Sequence, residues 1–194
     1  MGGNAAFKQD KMSGALVYNA NGAASANTLG NASKNSTDLV LNAAYGFKTG
    51  SFLTTVGLEY DTGNVTFRNV GSQAAGVGTS VDTTVKNRIG AYIAPGFMID
   101  ASSVAYVKLG YETASITAKG DTGTATTGGL KSGGYSYGLG YKRLFAAKSP
   151  WYGLVEYTET MHKNSTLVDS PTGAYANNGD LKTSKLSLGV GYNF

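Results

Sequence analysis

Residues 186–194 alternate without a break. Leu186, Leu188, Val190, Tyr192 and Phe194 are apolar, and Ser187, Gly189, Gly191 and Asn193 between them are small or polar. Period two is the mark of a β-strand with one apolar and one polar face. A strand closing a soluble domain rarely needs five apolar residues on one side and so little bulk on the other. A strand whose outside is wetted by lipid, and whose inside faces a narrow lumen, needs both. The same alternation recurs along the chain and predicts strands over residues 12–19, 38–48, 52–67, 83–99, 104–119, 130–144, 151–163 and 181–194.

The apolar face can be followed strand by strand. Leu39, Leu41, Ala43, Tyr45 and Phe47 point outward in the second strand, and Phe52, Thr54, Val56, Leu58 and Tyr60 in the third. Val85, Ile89, Ala91, Ile93, Pro95, Phe97 and Ile99 form the outer set of the fourth, with Pro95 beside Gly96 suggesting a bulge there. Ala105, Val107, Leu109 and Tyr111 follow in the fifth, and Tyr135, Tyr137, Leu139 and Tyr141 in the sixth. Trp151, Val155, Tyr157 and Met161 complete the seventh. Aromatics gather near strand ends, as Phe47, Phe52, Phe97, Phe145, Trp151, Tyr152, Tyr192 and Phe194 do, where a membrane–water girdle belongs.

Short connections at 48–51, 99–102 and 145–150 alternate with long ones at 20–37, 68–82, 120–129 and 164–180 that are rich in Gly, Ser, Thr, Asn and Ala. That alternation is the outer-membrane barrel pattern. The expected fold is an all-β, eight-stranded antiparallel transmembrane up-and-down β-barrel, one domain over residues 1–194. An even strand count puts both termini on the short-turn side, expected to be periplasmic in a Gram-negative outer membrane.

Composition agrees. Charged residues are only 14% of the chain, well below the usual quarter for soluble domains. The absence of Cys removes disulfides and thiolate metal sites. No run approaches the ~18 apolar residues of a membrane-spanning helix, and the mean hydropathy of −0.15 is that expected when half of each strand faces inward. Met1-Gly-Gly-Asn has neither a basic start nor an apolar core, so either a signal has already been removed or the export reading is wrong. The net charge of +4 comes from scattered lysines, which disfavours a nucleic-acid surface. Bases near strand ends are instead expected to meet anionic headgroups, those of outer-membrane lipid and lipopolysaccharide.

By parity the inward face carries Glu59, Asp61, Lys86, Arg88, Lys108, Glu112, Lys142, Glu156 and Lys185, with Gly57, Gly63, Gly90, Gly110, Gly138, Gly140, Gly189 and Gly191 leaving them room. Acids and bases nearly balance, as a low-dielectric interior requires. The set reads first as a barrel-interior charge network. A polar conduit for ions, or an acid/base pair such as Glu59 with Glu112, are the alternatives. Eight strands leave an interior just wide enough for side chains, which argues against a large pore.

Signals for catalysis are weak. His162, the single histidine, reads as a polar rim residue near the outer end of its strand, and Glu159 falls on the opposite face. One His and no Cys give no metal cluster, and Asp121 and Asp180 are isolated loop acids rather than a calcium loop. Gly138-Leu-Gly140 and Gly189-Val-Gly191 lie within strands and precede no helix, so neither cradles phosphate. Asn35-Ser-Thr and Asn164-Ser-Thr match a glycosylation acceptor by chance. No enzyme activity and no cofactor are expected.

Tyr92-Ile-Ala-Pro-Gly-Phe-Met-Ile99, a tight turn and Ala105-Tyr-Val-Lys-Leu-Gly-Tyr111 resemble the fourth and fifth strands of the small outer-membrane β-barrel family that includes the OmpA transmembrane domain, OmpX and the opacity-type proteins. Gly138-Leu-Gly-Tyr141 resembles the sixth strand and Gly189-Val-Gly-Tyr-Asn-Phe194 the terminal one. The resemblance covers strands four to eight by motif and one to three by pattern. It implies that Val190, Tyr192 and Phe194 form a C-terminal insertion signal read by the barrel-insertion machinery. The family spans structural anchors, adhesins, small-solute pathways and a few enzymes. The strand His, Ser and Glu of its lipid A deacylases are not matched here, and no peptidoglycan-binding domain follows Phe194. The resemblance therefore implies a structural or surface-exposed barrel. A self-assembling array or adhesin, touching copies of itself or other surface proteins, and a narrow channel for small solutes or ions stand as alternatives, and a soluble β-barrel lipid binder as a further one.

Overall fold

The computed structural model describes residues 2–20, 23–67, 81–120, 129–146, 149–162 and 174–193. Nine strands form a single antiparallel sheet: β1 (Gly2–Ala20), β2 (Ala23–Thr49), β3 (Phe52–Asp61), β4 (Val65–Phe67), β5 (Val81–Asp100), β6 (Ser103–Gly120), β7 (Gly129–Leu144), β8 (Trp151–His162) and β9 (Ala174–Tyr192). Apart from β3 and β4, strands adjacent in the chain pair with one another, β1 pairs with β9, and β3 pairs with β5 over ten positions from Phe52↔Phe97 to Asp61↔Arg88. β3 and β4 occupy one place in the wall. Between them the chain leaves the ladder at 62–64, where the N–H and hydroxyl of Thr62 both donate to the Leu39 carbonyl. The wall thus has eight places and no free edge along the β3–β5 seam: an up-and-down antiparallel barrel, whose full pairing removes the unpaired backbone a membrane does not tolerate.

The tight connections follow local chemistry. Thr49 pairs with Phe52, so β2 and β3 join through Gly50 and Ser51, and Gly50 has φ 61°. A two-residue hairpin that needs a positive φ at its first position selects glycine there. At the β5–β6 turn the Asp100 carboxylate accepts from both the N–H and the hydroxyl of Ser102, each at 2.7 Å, an Asx-type turn.

Three expectations of strand extent change. β1 begins at Gly2 rather than residue 12, and the region read as the long connection 20–37 is strand on both sides, paired as far as Ala20↔Ala23. Among the outward residues of early β1 only Phe7 is large and apolar, so alternation there is invisible in the sequence. Residues 23–37 hold Ala, Ser, Asn and Thr, which take strand geometry through their partner rather than through burial. β9 likewise starts at Ala174, inside the stretch read as the connection 164–180. The rest of that connection, most of 68–82 and the connection 120–129 from 121 to 128 lie outside the described residues.

The bulge expected at Pro95 is absent. Pro95 faces outward opposite Thr54, and the register against β6 is the same before and after it. The register against β6 shifts instead between Met98 and Asp100, at the turn, and between Lys86 and Ile89, around Asn87, whose φ is 53°. One extra residue reverses parity beyond that point. Val85, expected outside, is therefore 0% exposed, within the lumen, and Lys86, expected inside, shares the outer face through its register with Ser115. Elsewhere the outer belt is as expected, with Leu58, Ile93, Leu109, Leu139, Tyr157 and Leu188 exposed around the barrel, except that Tyr152, expected in the aromatic girdle, is 9% exposed and turned into the lumen by strand parity. Such a surface is unstable in water and stable in a hydrocarbon layer. Edge-to-face ring pairs mark the short-turn rim: Tyr45 with Phe47, Phe52 with Phe97, and Trp151 with Tyr192. Tyr111 with Tyr135, Tyr137 and Tyr157 mark the opposite rim.

Candidate functional site: the filled lumen

The lumen is built in layers because each strand contributes every second residue to it. Nearest the short turns is an open vestibule of about 570 Å³. Its inner end is a layer of tyrosines and lysines. Lys142 Nζ lies 5.0 Å from the centroid of the Tyr106 ring and 5.6 Å from that of Tyr152. A Cβ at Gly140 would collide with the Tyr106 ring and one at Gly191 with the Tyr152 ring, so these two glycines are what allow the rings to lie flat across the lumen.

The next layer is ionic. Lys108 Nζ is 2.6 Å from Glu59 Oε2 and 2.8 Å from Glu156 Oε1, and it lies 4.4 Å above the Tyr92 ring. Lys185 Nζ is 3.2 Å from Glu59 Oε1. The Tyr106 and Thr158 hydroxyls donate to Glu156 at 2.9 and 3.2 Å. Toward the long connections, Lys8 bridges Asp38 and Asp61 at 2.6 and 2.7 Å. Arg88 meets Asp10 at 2.8 Å and Asp61 at 3.8 Å, and Thr183 donates to Asp10 at 2.6 Å. His162 Nε2 is 3.3 Å from Glu112 Oε1. Buried charges are tolerable where they meet opposite charge and further hydrogen bonds; here most do, while Asp10 Oδ2, Arg88 Nε and Nη1 and His162 Nδ1 are buried without a hydrogen-bond partner.

Above the charges lies an apolar cap of Met12, Val65, Phe67, Val85, Ala114, Ile116 and Leu181, with Ala32 against it. In each strand these residues stand beyond the charged ones in the direction of the long connections: Met12 beyond Asp10, Phe67 beyond Asp61, Val85 beyond Arg88, Ile116 beyond Glu112, Leu181 beyond Lys185.

Of the residues expected inside, Glu59, Asp61, Arg88, Lys108, Glu112, Glu156 and Lys185 are buried in the lumen and joined to one another or to new partners. Lys142 is also inside but stands apart over the tyrosine rings. Lys86 is outside, moved there by the bulge. Glu59 and Glu112 do not act as a pair: Glu59 is bound by two ammonium groups and Glu112 faces His162. His162 is not a rim residue. It is 1% exposed and points inward, because β8 keeps its alternation to its last residue and the cap covers that end. Lys8, Asp10 and Asp38 were missed because the first strand was read too short and the second from the wrong starting point for its polar face. The alternation of Asn4, Ala6, Lys8 and Asp10 would have disclosed them. Of the terminal residues, Val190 is exposed on the outer face and Tyr192 stacks on Trp151 at 5.1 Å, while Phe194 lies outside the described residues. Among the described residues no group of three His, Asp or Glu could hold a metal ion.

The outer face has one more feature. Lys11, Lys86, Lys131 and Lys182 stand beyond Phe7, Ile89, Tyr135 and Leu186 in their strands, toward the long connections. Lys182 bonds Glu159 at 2.9 Å, which also accepts from the hydroxyls of Tyr137 and Tyr157 at 2.6 and 2.9 Å.

No protein-family model and no curated protein matches the sequence. Among solved structures the chain is similar to Ail, the attachment invasion locus protein of Yersinia pestis, crystallised with the heparin analogue sucrose octasulfate. The identity is 16%, the likeness covers 98% of this chain and 99% of that one, and the TM-score is 0.50. Neisserial surface protein A (14% identity, 97% of each chain, TM-score 0.43) and OprG of Pseudomonas aeruginosa (15%, 98% and 97%, 0.45) are also similar. The fold is that of the small outer-membrane β-barrels.

Proposed function

We propose that this chain is a non-enzymatic barrel of a Gram-negative outer membrane, with a structural or surface-exposed role and both termini in the periplasm. The observation that carries the reading is the lumen: paired charges fill its middle and an apolar cap covers its long-connection end. A conduit needs a continuous wet path, and hydrophobic constrictions block one by dewetting. Catalysis needs a group free to exchange a proton, and Glu59 is bound between two ammonium groups.

The belt holds the barrel in lipid, and the collar of Lys11, Lys86, Lys131 and Lys182 suits the phosphates of lipopolysaccharide, each near lysine contributing ~1 kcal/mol at an anionic surface. Insertion-machinery recognition of Val190, Tyr192 and Phe194 belongs to the same reading. So does the absence of cofactor and nucleic-acid partner.

The β1–β2 hairpin favours a second reading. It runs on from Lys11 to Ala20, roughly 30 Å of paired strand beyond the belt at ~3.3 Å per residue. An arm of that length suits contacts with copies of the chain or with another surface.

Planar-bilayer recording tests the first reading, with folding checked by the faster migration of unboiled protein in SDS gels. Silent bilayers from folded protein are expected, and stepwise currents would overturn the closed-lumen reading. A ladder of large unboiled species from native membranes would favour the array.

A further inference from the structure

The vestibule at the short-turn mouth is unlike the rest of the lumen. Among the described residues, Lys8, Arg88, Lys108 and Lys185 each meet a carboxylate inside the barrel. Lys142 meets none. Its neighbours are the faces of Tyr106 and Tyr152, which attract an ammonium by ~0.5–2 kcal/mol but do not neutralise it. The carboxylate one layer deeper, Glu156, has both oxygens committed to Lys108, Thr158 and Tyr106. Among the described residues the cavity in front of Lys142 is lined by two charged groups, Lys142 and Arg143, and by no carboxylate, and Asp100 at the adjoining turn is held by Ser102. Asn42, Thr55 and Ser102 add hydrogen-bonding groups, and Leu53, Val104 and Tyr152 add apolar wall.

We propose that this vestibule binds a small organic anion, a carboxylate or phosphate monoester with an apolar body, that enters from the short-turn end and sets its charge on Lys142. The volume of about 570 Å³ lies within the range of small-molecule sites. Low-dielectric walls around an unneutralised cation focus its field into the cavity. The Tyr106–Lys108–Glu156 layer closes the inner end, so a ligand leaves by the mouth it entered, and the site is one of binding rather than passage.

The test titrates the folded full chain in zwitterionic detergent with phenyl phosphate, benzoate and, as neutral control, phenol. The readouts are the fluorescence of Trp151, the single tryptophan, which packs on Tyr192 of the cavity wall, and the side-chain NMR signal of Lys142. Saturable binding of at least one anion is expected with Kd of about 0.1–5 mM. It should weaken at least tenfold in both Lys142→Met and Lys142→Gln, each verified as folded by unboiled gel migration, and stay unchanged in Lys34→Met. Saturation by phenyl phosphate alone assigns a phosphoryl ligand, and by benzoate alone a carboxylate. Three results would overturn the proposal: no saturation below about 50 mM, unchanged affinity in the Lys142 variants, or phenol binding as tightly as the anions.

Discussion

At the scale of single residues the interior is decided by pairing. Lys108 holds two carboxylates, Glu59 and Glu156, at 2.6 and 2.8 Å, and its own side chain is almost fully buried. Its removal leaves Glu156 with hydroxyl partners only. Lys108→Met should destabilise the folded barrel by ~3–5 kcal/mol, the usual cost of orphaning a buried charge. Adding Glu156→Gln should restore part of that loss, because the two residues share one interaction. Urea unfolding in lipid vesicles measures both, and a loss below ~1 kcal/mol for Lys108→Met would show that the network contributes little. The partners were only half legible beforehand: parity placed Glu59, Lys108 and Glu156 on one face, but parity says nothing about which of them touch.

At the scale of elements β5 shows how one residue resets a strand. Asn87 takes a left-handed φ of 53°, a conformation open to Asn and Gly and costly for β-branched residues. The bulge there turns Val85 into the lumen and Lys86 out of it. Asn87→Gly should leave stability nearly unchanged, whereas Asn87→Val should cost ~1–2 kcal/mol and move the register of the β5 segment before residue 87. Unfolding midpoints report the first effect. Labelling of Val85→Cys reports the second: the thiol should be protected while Asn87 is in place, and labelled once Asn87→Val is added if the bulge is lost. Equal behaviour of the two Asn87 variants would mean that tertiary pairing, not the local backbone, sets the bulge. β1 shows the converse, a strand whose start escaped the pattern because only Phe7 among its early outward positions has apolar bulk.

At the scale of the whole molecule two surfaces face two solvents. The outer belt meets hydrocarbon and the inner face meets its own charges. Insertion of charge into the belt should cost according to depth. Leu109→Arg, at mid-belt in β6, should destabilise by ~2–4 kcal/mol, and Thr113→Arg, on the same face toward the long connections, by ~0–1 kcal/mol. Chemical denaturation in vesicles measures the difference. Equal costs at both positions would mean that the belt is not where the exposed apolar residues place it.

The alternation of apolar and small residues by itself determined that this chain is a β-barrel with an apolar outside, because lipid accepts only one kind of surface and a strand has only two faces. It also determined most of the inward residues, since those follow from the outward ones by period two. Three matters were decided only by tertiary structure. The extent of β1 and β2 came from pairing between strands of small residues that carry no apolar signal. The positions of Val85 and Lys86 came from a backbone conformation at Asn87 that no hydropathy pattern records. The division of the lumen into vestibule, ion pairs and cap came from the stagger of eight strands, which brings together residues as distant in sequence as Asp10 and Thr183. That stagger is a property of closure, and closure is not written in any one segment.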